Sequence, residues 1–175
     1  MQKGWIYLII TLLSVPALSQ QVVTLEENIP YANNGMEYGF YISNSSTKEV
    51  KGVDYDRYEL NFYVANKSGC LKLIPFSNRD STTGRSNEIQ VAEFNCLNAT
   101  GKRLTSKKGV VSARVWYTYV RIPDEQAKNK YRMANAEAGY AISNGQTITS
   151  RIIVIVPKDE KPKVNCRIIY FPEFQ

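Results

Sequence analysis

The chain has 175 residues, with 22 lysines and arginines against 16 aspartates and glutamates, three cysteines and no histidine, for a formal net charge of +6. Lack of histidine removes the Ser-His-Asp and Cys-His catalytic pairs and the usual nitrogen ligand of zinc, so the balance falls against catalysis. The length suits one domain with its own core, and the positive surplus suits either an anionic partner or plain solubility.

Residues 1–19 read as an export signal. Lys3 gives the positive start, an apolar run follows from Trp5 to Leu13, and Pro16-Ala17-Leu18-Ser19 offers small residues at the cleavage positions. That run is too short to span a bilayer, and no later segment is long and apolar enough. The expectation is a secreted or periplasmic protein of residues 20–175. Its net charge is +5, because Lys3 is the only charged residue removed.

Beyond the signal, period-two alternation predicts strands. Val22–Glu26 is a short one. Met36, Tyr38, Phe40 and Ile42 share a face, as do Tyr58, Leu60, Phe62 and Val64 opposite Glu59, Asn61 and Tyr63. Cys70–Ile74 and Glu88–Asn95 are weaker candidates. In Gly109–Arg121, Val111, Ala113, Val115, Tyr117 and Tyr119 oppose Ser112, Arg114, Trp116 and Thr118. Thr147–Val156 is apolar on both faces and reads as a central strand, and Val164, Cys166, Ile168 and Tyr170 close the series.

Polar, glycine-bearing stretches at Asn66–Gly69, Ser77–Asn87 and Asn98–Lys108 read as turns and loops, and Pro157–Lys163 as a hairpin connection. The matches to the N-glycosylation pattern at Asn44, Asn66 and Asn98 are treated as turn chemistry. One stretch departs from the pattern. Ala127, Tyr131, Ala134 and Ala138 fall at helical spacing after Pro123 and before Gly139, which predicts a short helix over 123–138, with a polar cross-over as the alternative. The fold class is all-β, a two-sheet antiparallel sandwich. An immunoglobulin-like topology is the most economical and a jelly roll is second.

The candidate sites are sparse. Cys70, Cys96 and Cys166 lie in the exported region, where an oxidising compartment predicts one disulfide, and Cys70–Cys96 is the favoured pair because a turn-rich stretch separates them. Tyr41, Tyr63 and Trp116 alternate out of register with their apolar neighbours and could form an aromatic platform for a sugar or a protein. Lys102, Arg103, Lys107 and Lys108 make the densest cationic cluster and could grip a polyanion. The absence of aromatic residues in 98–109 disfavours nucleic acid.

Asp54-Tyr55-Asp56 with Glu59 lacks the glycine and spacing of a calcium loop. Ser45-Ser46-Thr47-Lys48 matches S-x-x-K but lacks its companion motifs. No catalytic set, metal or cofactor is expected. The expected function is a non-catalytic binding or structural module acting through protein or glycan contacts. The alternatives are a carboxylate-based glycan hydrolase drawing on Asp54, Asp56, Glu59, Glu88 and Glu93, and a polyanion-binding or inhibitor protein using 101–109.

Overall fold

The computed structural model describes residues 21–76, 86–105, 107–124 and 130–169. The alternation read from the sequence becomes strands throughout: β1 (Gln21–Leu25), β2 (Tyr31–Asn33), β3 (Met36–Val50), β4 (Val53–Asn66), β5 (Lys72–Ile74), β6 (Glu88–Leu97), β7 (Gly109–Pro123), β8 (Tyr131–Ile142), β9 (Thr147–Pro157) and β10 (Lys163–Ile168). They form a six-stranded sheet, β1-β10-β6-β7-β8-β5, and a four-stranded sheet, β2-β3-β4-β9. Neighbours in both sheets run antiparallel. The predicted all-β, two-sheet sandwich is thus the observed architecture.

Where the two sheets overlap, one side of each strand's apolar alternation turns inward, and the sheets meet over these side chains. Phe40, Leu60, Phe62, Val64 and Val154 come from the four-stranded sheet; Phe94, Cys96, Val111, Ala113, Val164, Cys166 and Ile168 come from the six-stranded one. Phe62 of β4 stacks on Phe94 of β6, with centroids 4.7 Å apart and planes 18° from parallel, which joins the layers. Gly109 lies flat against the Phe62 ring, so a side chain there would displace the stack. Each buried large apolar side chain contributes roughly 1.5–3 kcal/mol over an exposed one.

Tight turns close the hairpins. Asn34-Gly35 and Lys51-Gly52 all have positive φ (49°, 72°, 54° and 76°), as the two-residue turns between Asn33 and Met36 and between Val50 and Val53 require. Asn66 ends β4 fully buried. Its amide nitrogen donates to the carbonyls of Cys70 and Ile142, both at 2.8 Å, and its carbonyl oxygen accepts from the backbone and hydroxyl of Ser68.

Four sequence readings change. The predicted helix is absent: its described part is the strand β8, paired with β7 from Arg114↔Ala141 to Pro123↔Tyr131. Ala134, Ala136 and Ala138 alternate with exposed Asn135 and Glu137, a period of two that the helical spacing of Ala134 and Ala138 had masked. Ala127 lies outside the described residues.

The Cys70–Cys96 disulfide is also not formed; all three cysteines are free. Cys70 is exposed just before β5 and Cys96 is buried in β6, and β7 and β8 lie between those strands. Three inter-strand steps amount to about 14 Å, beyond the reach of a bridge. Third, β9 is an edge strand and not a central one. Its inward Val154 and Val156 are buried, while Ile153 and Ile155 remain 45% and 42% exposed on the outer face.

Finally, β7 does not stay in the core. Val111 and Ala113 are buried, but a bulge falls between Trp116 and Tyr117, and Tyr117 and Tyr119 are 56% and 72% exposed. Residues 1–19, which the sequence reads as an export signal, most of the 77–87 loop, and Tyr170 lie outside the described residues.

Candidate functional site

The aromatic residues expected to form one platform are divided between the sheets. Tyr41 on β3 and Tyr63 on β4 share the outer face of the four-stranded sheet, where Tyr41 pairs with Asn61 and Tyr63 with Gly39. The Tyr63 ring lies across Gly39, in the space a Cβ would need. Burial followed by the neighbouring Glu37 raises the Tyr63 hydroxyl above its ordinary pKa. Trp116 belongs to β7 of the other sheet and is 40% exposed beside Gly139. The trio therefore offers no single surface.

A different aromatic surface forms instead, from residues the helix reading obscured. Beyond Arg114, β7 has no strand partner from β6, and β8 pairs with β5 only at Tyr140–Ile142. The distal halves of β7 and β8 are thus a two-stranded arm with both edges open among the described residues.

Directly paired residues share a face. The pairs Tyr117↔Glu137, Tyr119↔Asn135, Arg121↔Met133 and Pro123↔Tyr131 therefore place three tyrosines, a methionine and an arginine together. Tyr131 and Met133 are 62% and 61% exposed, and the Arg121 guanidinium sits 5.4 Å over the Tyr131 ring. Strand alternation makes this the continuation of the side of β7 that carries Val111, Ala113 and Val115 into the core. Gly139 sets the root of the arm: its φ is +143°, and a Cβ would meet the Ile74 carbonyl oxygen at 2.5 Å.

The cationic residues of 101–108 are held by backbone chemistry. Asn98 Oδ1 accepts from Thr100 and from the Lys102 amide, Arg103 bridges to Leu97, and the Lys107 amide donates to Thr105. Lys102, Arg103 and Lys107 are exposed. Lys108 instead turns onto the outer face of the six-stranded sheet, 2.7 Å from Glu93, whose other oxygen is 2.6 Å from Arg167. Asn95 also donates to Glu93 at 3.0 Å. Burial works against the Glu93 charge, but the Lys108 and Asn95 hydrogen bonds and the Arg167 charge outweigh it and hold the carboxyl at about 2.

The remaining carboxylates considered for hydrolysis are also engaged. Asp54 pairs with Lys158, Asp56 accepts the Asp159 amide, Glu59 meets Arg151 and Ser43, and Glu88 meets Arg114. Ser45 and Lys48 lie on strand β3, three residues apart and so on opposite faces. Among the described residues, no three acidic or cysteine side chains gather as a metal site, and no helix is long and apolar enough to cross a membrane. No protein-family model, curated protein or solved structure matches the chain.

Proposed function

We propose that the protein is an exported, non-catalytic β-sandwich binding module that engages a protein or glycan partner through the β7–β8 arm. The observation that supports this reading is the exposed face of Tyr117, Tyr119, Tyr131 and Met133. A two-stranded ribbon is marginal by itself in water, and an aromatic face continuous with a core side is costly to leave wet. Tyrosine and methionine suit a recognition surface, because they give large contact area with adaptable packing. The open edges of the arm favour an extended segment of a partner polypeptide, which would add backbone hydrogen bonds to the contact.

The test replaces Tyr119 and Tyr131 with alanine and Met133 with serine, with a photo-crosslinking residue in place of the exposed Asn135, which pairs with Tyr119, in parent and variant alike. The variant should keep the parent's circular dichroism and melting temperature while losing crosslinked product and glycan-array signal. Equal capture by the variant, or no specific partner for the parent in either assay, overturns the reading.

A further inference from the structure

The outer face of the six-stranded sheet collects cations that are distant in sequence. Lys163 and Arg103 both stand opposite Leu97, one from β10 and the other from the 101–104 loop. Opposite residues share a face, so the two flank Leu97 about 10 Å apart. Four residues further along β6, about 14 Å away, Lys108 and Arg167 converge on Glu93. The Glu93 side chain is 6% exposed, whereas those of Lys108 and Arg167 remain 40% and 33% exposed. The carboxylate thus lies beneath two cations and fixes them on the surface.

Between the two ranks, Asn95 and Asn165 stand directly opposite each other. Lys102 and Lys107 border the face as exposed loop residues. Among the described strand residues, the register of β1 against β10 carries Glu26, one residue beyond β1, beside Lys163; Glu27 pairs with Lys161 at 3.5 Å.

We propose that this face of β10, β6 and the start of β7 binds an acidic polysaccharide, a chain bearing repeated sulfate or carboxylate groups. Two ranks of cations separated by about 14 Å are too far apart for one small anion to bridge, so they match charges repeated along a polymer. Paired asparagine amides between the ranks supply donors and acceptors for sugar hydroxyls. Among the described residues, the exposed apolar side chains on this face are Val22 and Val110, which lie in the row of Arg167 and Glu93. Among the described residues of this face, no tyrosine, tryptophan or phenylalanine accompanies the named cations, which disfavours base stacking and an aromatic-anchored membrane contact. The site is separate from the β7–β8 arm, and neither reading depends on the other.

The test compares Lys163→Glu/Arg103→Glu with Lys48→Glu/Lys51→Glu, two cations near the β3–β4 tip, so both variants change net charge equally. Probes are dextran sulfate, polygalacturonate, a single-stranded oligonucleotide and anionic phospholipid vesicles. The parent should bind one or both polysaccharides with affinity that falls as salt rises, and the sulfated and carboxylated probes separate the two chemistries. The first variant should lose at least about ten-fold in affinity and the second less than about two-fold. Should charge reversal unfold the protein, the alanine pair at 163 and 103 gives the same reading. Equal loss in both variants, equal or tighter binding to oligonucleotide or vesicles, or no polysaccharide binding by the parent at low salt overturns the proposal.

Discussion

Asn66 shows what one buried polar side chain does in a small sandwich. It pins the turn before β5 to the end of β8 through two carbonyls, and its own oxygen is occupied by Ser68. A glycan acceptor needs an accessible amide, and this one is enclosed. Of the three matches to that pattern, Asn98 likewise spends its side chain on its own turn, and Asn44 lies within β3 beside a register shift. The cysteines divide in the same way by environment. Burial pushes the Cys96 and Cys166 thiols up to about 12, whereas Cys70 is exposed in the turn that Asn66 organises. A thiol reagent at neutral pH should therefore modify one cysteine in the folded protein and three after denaturation. A folded protein with no reactive thiol would mean that Cys70 is bonded or covered. Three cysteines could be counted in the sequence, but only strand order could show that Cys70 and Cys96 are too far apart to pair.

At the scale of elements, the strands were legible wherever one face was buried, because burial enforces strict alternation. Leu60, Phe62 and Val64 were assigned to the interior from spacing alone and are fully enclosed. The arm was not legible for the converse reason. In the arm, where neither face of β8 is fully buried, the alternation is carried only by small alanines, and those at positions 134 and 138 fit a helical period as well as a strand. The long β7–β8 pairing then overrode the weak local preference.

The arm's independence from the core is testable. Replacing residues 118–136 with a two-residue Asn-Gly turn should leave the melting temperature within about 3 °C of the parent, since none of the arm's described residues is fully buried and surface changes seldom exceed half a kcal/mol each. A fall of 10 °C or more would show that the arm helps hold the sandwich together.

For the whole molecule, the positive surplus is arranged and not merely diffuse. Its clearest electrostatic contribution to folding is Glu93, whose carboxyl drops from the ordinary 4.5 to about 2. A carboxyl with a lowered native pKa stabilises the fold at pH above its unfolded value, and that contribution is lost as pH falls through the native one. Unfolding free energy should therefore decline between pH 4.5 and 2, and Glu93→Gln, less stable at pH 7, should converge on the parent across that window. Parallel curves for the two proteins would show that Glu93 does not govern the decline.

The sequence by itself determined the strands, their inward faces and the two-layer class, because pleating and the removal of apolar side chains from water act locally and repeat every two residues. It also marked Tyr41, Tyr63, Trp116 and the basic loop as exposed chemistry. Only the tertiary structure decided which of these share a surface. Sheet order separated Tyr41 and Tyr63 from Trp116 and kept Cys70 from Cys96, while strand pairing brought Tyr117 and Tyr119 beside Tyr131 and Met133 and set Arg167 and Lys108 around Glu93. Those adjacencies are fixed by backbone hydrogen bonds between segments remote in the chain, and residue spacing does not encode them.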